Sequence, residues 1–230
     1  HVTGVQTCAL PIYMYLSSYR NADLVICPSN QSKNIMHEFG CEKVAVIPHG
    51  CAYGMPLNNP KKFAVGYLGQ IGPDKGLRYL IEAWAKLDYK DSVLYFAGAQ
   101  SPELIHLIRQ YNRGNYITLG FVQSLIEFFA LISVYVQPSV TEGFGIEVLE
   151  AMSFGRPVIA SDGVGGIDCL NKHCKIVPKR NANALAEAIH NYKSNTFDAA
   201  RELHDWSRNY SWDNIMRLYA QTWKEILNAV

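Results

Sequence analysis

Two carboxylates and two glycines form the stretch of the chain with the most evident chemistry. Glu142 adjoins Gly143, Gly145 follows, and Glu150 comes eight residues after Glu142. Because glycine has no side chain, Gly143 and Gly145 let an anion such as phosphate approach the backbone closely. A carboxylate beside a phosphate is repulsive unless it accepts hydrogen bonds from hydroxyl groups, as acidic residues do with a ribose. The pattern therefore predicts a ligand that carries both phosphate and sugar hydroxyls.

The elements on either side of this stretch determine where its groups would lie. Ser133 to Pro138 predicts a buried strand, and Ile146 to Phe154, closed by a glycine, predicts a helix. Anions bind where the carboxyl end of a strand meets the N-terminus of a helix, because N–H groups are unpaired there. In an alternative interpretation, Glu142 caps the helix, whereas Glu147 and Glu150 lie on its solvated face.

A second glycine-rich loop follows the strand predicted at Phe63 to Gly69. It runs from Gly69 to Gly76 and contains one lysine, Lys75, at a position suited to neutralise a diphosphate as it leaves. It is not a P-loop, because no Ser or Thr follows Lys75, and it lacks the Gly-x-Gly-x-x-Gly fingerprint of dinucleotide sites. The loop therefore predicts a cationic contact to a diphosphate.

Composition excludes several classes of function. Of 230 residues, 49% are hydrophobic and 18% are charged, which is typical of a globular chain. The net charge of +1 and the lack of a basic block argue against nucleic acid as a partner. No apolar run approaches the roughly 20 residues of a membrane helix, so we expect membrane contact to be at most peripheral. The six cysteines show no metal-site spacing, which predicts reduced thiols and no bound metal.

The order of the predicted elements indicates the fold class. Five alternations of strand and helix run from Phe63 to Pro178. In such a series each crossover helix covers one face of a parallel sheet. We therefore expect an α/β fold with a doubly wound, Rossmann-like parallel sheet.

The central motif resembles a known signature. Glu142-Gly-Phe-Gly-x4-Glu150, followed by Ala-Met-x-x-Gly-x-Pro-Val, resembles the donor site of retaining glycosyltransferases of the GT-B fold, family 4. The resemblance covers about residues 13 to 228 and is strongest at 63–76 and 133–162. It implies transfer of a hexosyl group from a nucleoside diphosphate sugar to an acceptor hydroxyl, with retention of configuration and without a metal cofactor. It also implies front-face attack, in which the leaving phosphate accepts the acceptor's proton.

The resemblance assigns roles to individual residues. Glu142 would lie against the hydroxyls of the transferred sugar, Glu150 would bind the ribose, and Lys75 would contact the phosphates, so that Lys75 and Glu142 are the catalytic candidates. The family's usual arginine is Gln70 here, which can donate a hydrogen bond but brings no charge. Arg78 and Arg156 are candidate substitutes by sequence proximity alone. We expect Glu147 to be a solvated helix residue.

The complete set of predicted donor-binding residues combines both loops with the segment after the third strand. It consists of Gly69, Gln70, Lys75, Phe121, Val122, Glu142, Gly143, Phe144, Gly145, Ile146 and Glu150. Phe121 and Val122 would contact the base, although a core position for Phe121 remains equally open. The turn at Gly163 to Gly166 could supply further N–H donors, but there the resemblance decays. His49 is interpreted as a turn residue in preference to a ligand contact.

The domain organisation is also an expectation from the resemblance. Residues 1–12 resemble a translated sequencing adaptor and are treated as an artefact; 13–50 would be a remnant of the acceptor domain, and 51–62 the linker. Residues 63–210 would bind the nucleotide sugar. Residues 211–230 would form a C-terminal helix that crosses back to the N-terminal domain. Its larger apolar residues, Trp212, Leu218, Trp223 and Ile226, are interpreted as packing residues.

These expectations lead to one function and several alternatives. The parent protein would be a hexosyltransferase, and this chain its donor-binding part. Its acceptor could be a glycan, a lipid-linked sugar or a small molecule, and its location the cytoplasm, with at most peripheral contact at the inner membrane face. The main alternative is a non-catalytic nucleotide-sugar-binding module with a degenerate site. A glycosidase would not need Lys75 and two phosphate loops, and a nicotinamide dehydrogenase lacks its fingerprint.

Overall fold

A computed structural model of the protein describes residues 17–98, 102–111, 114–195 and 197–229. The proposed adaptor-derived segment, residues 1–12, lies outside the described residues. So does the start of the segment predicted as an acceptor-domain remnant.

The strands form two parallel sheets. The first pairs β1 with β2, and the second has six strands in the order β5-β4-β3-β6-β7-β8. The strands are β1 (Val25–Cys27), β2 (Val44–Val46), β3 (Ala64–Leu68), β4 (Val93–Ala97), β5 (Tyr116–Gly120), β6 (Val134–Gln137), β7 (Val158–Ser161) and β8 (Lys175–Val177). All pairings in the larger sheet are parallel. The predicted doubly wound α/β sheet is therefore confirmed.

The strand order creates a switch point between β3 and β6. After β3 the chain winds outward through β4 and β5, and then returns to the other side of β3 to form β6. Ligands of open α/β sheets bind where the strand order reverses in this way, outside the carboxyl ends of the strands. Both glycine-rich loops begin at this edge, one after β3 and the other after β6.

Helices lie between the strands and after them. They are α1 (Asn30–Glu38), α2 (Leu77–Leu87), α3 (Pro102–Tyr111), α4 (Leu125–Leu131), α5 (Glu147–Ser153), α6 (Ala182–Ser194), α7 (Ala200–Ser207) and α8 (Trp212–Ala229). Short 3-10 helices span Pro73–Lys75, Gly165–Cys169 and Arg208–Tyr210. The two strands and the helix predicted around the glycine-rich loops agree with β3, β6 and α5 to within a few residues.

Each face of the six-stranded sheet is covered by an apolar core. On one face, α2 and α6 pack on the sheet, and the apolar positions Leu77, Leu80, Ile81 and Trp84 of α2 are buried as their helical spacing predicts. On the other face, α4 and α5 pack through residues such as Phe129. Strands β6 and β7 are buried along their whole length, as expected for strands covered on both faces.

Arg156 holds the segment predicted as the linker. Its fully buried guanidinium donates to the carbonyl of Phe129 at 2.8 Å and to the carbonyls of Leu57 and Asn58 at 3.3 and 2.7 Å. It also donates to Asn59 Oδ1 at 3.1 Å. Burial lowers the pKa of Arg156 to about 10. The suggestion that Arg156 could replace the family's arginine at the phosphates is therefore wrong, because its bonds go to Phe129 and to residues 57–59.

The C-terminal helix α8 is largely exposed. Ile215 is buried, whereas Trp212, Leu218 and Trp223 are each exposed by more than two-fifths. Trp212 nevertheless packs on Gly50, where an added Cβ would lie 2.5 Å from the indole ring. The packing of Leu218 and Trp223 against the N-terminal domain stays a prediction. No helix within the described ranges is both long enough and apolar enough to cross a bilayer.

Candidate functional site

A cavity opens at the carboxyl ends of β3 and β6. It has a volume of about 380 Å³ and lies at the switch point of the sheet. Its lining residues are His49, Tyr67, Gly69, Gln70, Lys75, Gln137, Glu142, Phe144, Gly145, Ile146 and Glu147.

The cavity brings together most of the predicted donor-binding set. Both loops contribute, through Gly69, Gln70 and Lys75 on one side and Glu142, Phe144, Gly145 and Ile146 on the other. Phe121, Val122, Gly143 and Glu150 do not line it. Phe121 is 83% exposed, so the alternative that it belongs to the core is wrong.

Gly76 allows the two loops to pack against each other. It has a φ of +67°, and a Cβ placed on it would lie 2.0 Å from the carbonyl oxygen of Pro138. This contact is possible only without a side chain. The backbone N–H of Val140 then donates to the carbonyl of Asp74 at 2.7 Å. The loop after β3 is thereby held against the segment after β6, which brings Lys75 within reach of Glu142.

Lys75 and Glu142 form an ion pair inside the cavity. Lys75 Nζ lies 2.5 Å from Glu142 Oε2, and the two side chains are 20% and 18% exposed. The backbone of Glu142 is fixed from both directions, because its N–H donates to Gly163 O and its carbonyl accepts from Gly165 N, each at 2.9 Å. The residues that sequence analysis assigned to the phosphates and the sugar are therefore direct neighbours.

The glycine turn at Gly163 to Gly166 forms backbone hydrogen bonds with the central motif. Gly165 N donates to the carbonyl of Glu142, and Gly166 N donates to the carbonyl of Phe144 at 2.7 Å. The expectation that this turn supplies free N–H donors is therefore wrong for these two groups. Among the described residues, the N–H groups of Gly145 and Ile146 have no hydrogen-bond partner, and both residues line the cavity.

Gln137 connects the floor of the cavity to Glu142 and was missed by the sequence analysis. This side chain is 1% exposed, and its Nε2 lies 3.1 Å from Ser139 Oγ and 3.5 Å from Glu142 Oε2. Its Oε1 accepts a hydrogen bond from the hydroxyl of Tyr135. A polar side chain at the carboxyl end of an otherwise apolar strand is the signal that could have identified it.

Glu147 also lines the cavity, which contradicts the expectation of a solvated helix residue. The residue is partly buried, and burial raises the pKa of its carboxyl, with the charge of Glu142 acting in the same direction. Five of the seven residues of α5 are buried, so this helix offers little solvated face.

Glu150 is partly buried outside the cavity lining. Burial, followed by the charge of Glu147, raises its pKa to about 7. Its neighbour Cys51 is buried as well, and burial, followed by the charge of Glu150, raises the pKa of that thiol to about 11. Glu150 thus titrates near neutrality.

Two aromatic residues complete the wall of the cavity. His49 lies edge-on to Phe144, with 5.0 Å between the ring centroids, so it is more than the turn residue that was predicted. The hydroxyl of buried Tyr67 donates to the carbonyl of Gln70 at 2.6 Å. Burial, followed by the charge of Glu147, raises the pKa of Tyr67, so this hydroxyl keeps its proton.

Arg78 lies in a separate and larger cavity. That cavity has a volume of about 900 Å³, lies between the start of α2 and α3, and is mainly apolar. Arg78 is exposed there and does not line the cavity that contains Lys75. It is therefore no substitute for the family's arginine at this site. Within the described ranges, no group of three or more His, Cys, Asp or Glu side chains could hold a metal ion.

Comparison with known proteins finds similar sequences and similar solved structures. A glycosyltransferase of Methanocaldococcus jannaschii is 28% identical over 248 residues, which cover 91% of this chain and 62% of that relative. Sucrose-phosphate synthase from Thermosynechococcus elongatus superimposes with a TM-score of 0.84 at 24% identity, over 96% of this chain and 63% of that one. HepE from Anabaena, solved with UDP and glucose, gives a TM-score of 0.82 at 21% identity, over 94% and 67%.

These structural neighbours share the predicted GT-B architecture, and the sequence relative exceeds this chain in length. The family model described as glycosyl transferases group 1 matches residues 56–210, which include both glycine-rich loops, the ion pair of Lys75 with Glu142, and Glu150. Because this match spans more than half of the chain, the protein belongs to the glycosyl transferases group 1 family.

Proposed function

We propose that the parent protein transfers a hexosyl group from a nucleoside diphosphate sugar to an acceptor hydroxyl with retention of configuration, and that this chain binds the donor. The observation that carries the proposal is the ion pair of Lys75 with Glu142 in the cavity at the switch point. The complex of the similar Anabaena HepE with UDP and glucose supports it. Because the chain covers 62% of its Methanocaldococcus jannaschii relative, the proposal for the complete reaction concerns the whole protein.

Lys75 and Glu142 would exchange partners when the donor binds. Lys75 would leave Glu142 and contact the diphosphate, because a phosphate offers it stronger charge-assisted hydrogen bonds. Glu142 would then be free to accept hydrogen bonds from hydroxyls of the transferred sugar. The unpaired N–H groups of Gly145 and Ile146 would donate to phosphate oxygens. These four groups of the cavity would thus each gain a partner on the donor.

The reaction itself would proceed on one face of the sugar. The bond between the anomeric carbon and the diphosphate oxygen breaks as the acceptor oxygen forms its bond on the same side. The acceptor's proton passes to the departing phosphate oxygen. Lys75 and the backbone N–H groups would stabilise the negative charge that develops there. We propose that no metal is needed, since these groups can do the same electrostatic work.

The remaining donor contacts lie beyond the cavity. We propose that Glu150 accepts hydrogen bonds from the ribose and that Phe121 and Val122 contact the base, while Gly143 leaves room beside the phosphates. No atom lies within 4 Å of a Cβ placed on Gly143, which is compatible with a ligand there. The cytoplasm is the proposed location, because the cysteines among the described residues are all free thiols. The acceptor is proposed to be a glycan, a lipid-linked sugar or a small molecule.

A second candidate is a nucleotide-sugar-binding module without catalysis. Gln70 favours it, because this exposed cavity residue carries no charge where the resembled family has an arginine. Less charge at the phosphates would weaken stabilisation of the leaving group more than it weakens ground-state binding.

Calorimetry tests the proposed donor site. Wild type, Lys75→Ala and Lys62→Ala would each be titrated with UDP-glucose, GDP-mannose and ADP-glucose, where Lys62 is an exposed lysine that does not line the cavity. We expect one donor to bind, and Lys75→Ala to weaken it by about 30-fold, which corresponds to roughly 2 kcal/mol for a charge-assisted contact. Lys62→Ala should bind like wild type. Equal affinity of all three proteins, or no binding by a folded sample, would contradict the proposed site.

Slow release of the nucleoside diphosphate distinguishes the two candidates. The bound donor would be incubated with wild type and with Lys75→Ala, and free UDP, GDP or ADP would be measured over time. If wild type releases the nucleoside diphosphate faster than Lys75→Ala does, the result supports an active transferase site, because water can act as acceptor. Binding without any release by the whole parent protein supports the non-catalytic module, because this chain by itself is proposed only to bind the donor.

A further inference from the structure

Glu147 is a charged group of the cavity that the proposed mechanism does not use. It is the first residue of α5 and lines the cavity beside Lys75 and Glu142. A Cβ placed on Gly69 would lie 3.7 Å from Glu147 Oε1, so the carboxyl faces the end of β3. Among the described residues, no ion pair and no hydrogen bond joins the Glu147 carboxyl to another residue. The carboxyl accepts a hydrogen bond from the backbone amide of Glu147 itself.

The cavity has more negative than positive charge. Its described lining contains one lysine against two carboxylates, Glu142 and Glu147, and Lys75 is already paired with Glu142. Gln70, at the mouth, is neutral. A diphosphate adds further negative charge, and like charges in a partly buried site disfavour each other's ionised forms. If both carboxylates stayed ionised, they would repel the ligand that the rest of the site is suited to bind.

We propose that Glu147 is a further donor-binding residue, which takes up a proton when the sugar nucleotide binds and donates a hydrogen bond through that proton to the diphosphate. The inference rests on the function proposed above. A neutral carboxyl can serve as a hydrogen-bond donor at a site where the ionised form would be repelled. Glu147 would thus supply part of the stabilisation of the diphosphate that the uncharged Gln70 cannot provide.

The surroundings of Glu147 favour the protonated form. Burial raises the pKa of the carboxyl, its own backbone amide lowers it, the charge of Glu142 raises it, and Lys75 lowers it. The net direction is upward. When Lys75 moves from Glu142 to the diphosphate, both negative groups remain close to Glu147, so its pKa should rise further in the complex.

The other titratable groups nearby do not reverse this direction. They are Tyr67 on β3, Asp74 in the turn after it, Tyr135 on β6, Glu150 on α5 itself and His49 on the cavity wall. Both phenols keep their protons because their pKa values are raised, and the two carboxyls can add only negative charge. His49 is the one imidazole among these groups, so the experiment must separate its contribution from that of Glu147.

UDP-glucose is a suitable probe because its diphosphate has no proton to lose near neutral pH. Wild type, Glu147→Gln and the control Glu187→Gln, an exposed residue of α6, would be titrated by calorimetry between pH 5.5 and 8.5. Parallel runs in two buffers with different ionisation enthalpies count the protons taken up, and EDTA removes divalent cations. GDP-mannose and ADP-glucose replace the probe if one of them is the donor that binds.

We expect the Kd of wild type to rise about tenfold between pH 6 and pH 8, with uptake of close to one proton at the upper end. Glu147→Gln should not show this rise of the Kd and should bind about tenfold more tightly than wild type at pH 8, because its amide donates without titrating. Glu187→Gln should follow wild type. Glu147→Ala, which removes the charge but provides no donor, should lie between wild type and Glu147→Gln at pH 8.

Three results would overturn the inference. The first is a pH dependence that Glu147→Gln leaves unchanged, which assigns the proton to His49 or another group. The second is weaker binding by Glu147→Gln at every pH, which means that an ionised Glu147 accepts hydrogen bonds from the donor. The third is recovery of tight wild-type binding at pH 8 by Mg²⁺, which means that a cation, not a proton, compensates the charge.

The same data distinguish this inference from the proposed function. Binding that depends on Lys75 but not on the protonation of Glu147 leaves the proposed function intact and removes the inference. Absence of binding in wild type, Glu147→Gln and Glu147→Ala at every pH contradicts both.

Discussion

The charged groups near the two ends of α5 lie in opposite environments. At its start, Glu147 and Glu142 face a cavity in which Lys75 is the single lysine among the described lining residues. Just beyond its end, Arg156 is completely buried, and its hydrogen bonds go to three carbonyls and one side-chain amide oxygen. Seven helical residues, or roughly 10 Å, separate these environments.

The difference indicates which end is structural and which is functional. A buried cation whose three nitrogens all donate hydrogen bonds holds one conformation, since any movement would leave carbonyls unpaired. A partly exposed carboxylate that no other residue binds adds little to the stability of the fold, and such perturbed groups concentrate at functional sites. Arg156 therefore fixes the segment at residues 57–59, whereas Glu147 and its neighbours remain available to a ligand.

Arg156→Met should produce the largest effect of the predictions that follow. The variant keeps an unbranched side chain but leaves the carbonyls of Phe129, Leu57 and Asn58 without a donor. At about 1 kcal/mol for each lost partner, we expect the free energy of unfolding to fall by about 3 kcal/mol. Urea denaturation measures this change, and faster proteolysis within residues 51–62 would show that the segment has been released.

The matched control for this variant is Arg78→Met, at an exposed arginine in the other cavity. Its stability should stay within about 0.5 kcal/mol of wild type, as is usual for surface substitutions. If Arg156→Met were as stable as Arg78→Met, the buried cation would be no more structural than an exposed one, and the contrast between the two ends of α5 would disappear.

The sequence was sufficient for the fold because the relevant signals are local. Parallel strands covered on both faces read as apolar runs, and the helix α2 shows its buried face in its spacing. The central part of the site was also predictable, since Lys75, Glu142 and Gly145 follow strands whose carboxyl ends must share one edge. The family resemblance added their roles, which remain proposals.

The errors came from tertiary relations that local patterns do not contain. Arg156 follows Glu142 closely in sequence, but α5 connects two parallel strands and therefore runs back to the opposite edge of the sheet. Glu147 was assigned to a solvated face on the assumption that α5 has one, whereas most of this short helix is buried. The N–H groups of Gly165 and Gly166 were counted as free because their partners lie on the neighbouring loop.

Glu150→Gln should show a smaller effect that depends on pH. Glu150 has a pKa of about 7 in the folded protein, above the usual value of 4.5. Between these two values the folded state binds more protons than the unfolded state, so wild-type stability falls as the pH rises from 4.5 to 7. The variant cannot ionise there, and we expect its advantage over wild type to grow from near zero at pH 4.5 to about 2 kcal/mol at pH 8.

Urea denaturation of both proteins across this pH range provides the measurement, with Glu187→Gln as the exposed control. A difference in the free energy of unfolding that stays constant or shrinks toward pH 8 would show that ionisation of Glu150 does not destabilise the fold. If the ribose contact proposed for Glu150 is correct, the more stable variant should also bind the donor less tightly. Higher stability together with weaker donor binding would show that Glu150, unlike Arg156, is a functional residue and not a structural one.

Glu142→Gln should have the smallest effect on stability and serves as the sharpest test of the partner exchange. The ion pair with Lys75 is partly exposed, and pairs of this kind contribute no more than about 1 kcal/mol. Once the pair is removed, Lys75 no longer has to leave a carboxylate before it contacts a phosphate. Binding of UDP alone should therefore tighten by about threefold to tenfold, which corresponds to up to roughly 1.4 kcal/mol.

UDP-glucose should not gain as much, because the amide replaces a charged acceptor for the sugar hydroxyls, and the affinity ratio of the two ligands isolates that contact. An unchanged affinity for UDP would mean that the pair does not compete with the diphosphate, and Lys75 would then have to be regarded, like Arg156, as a residue that stabilises the fold.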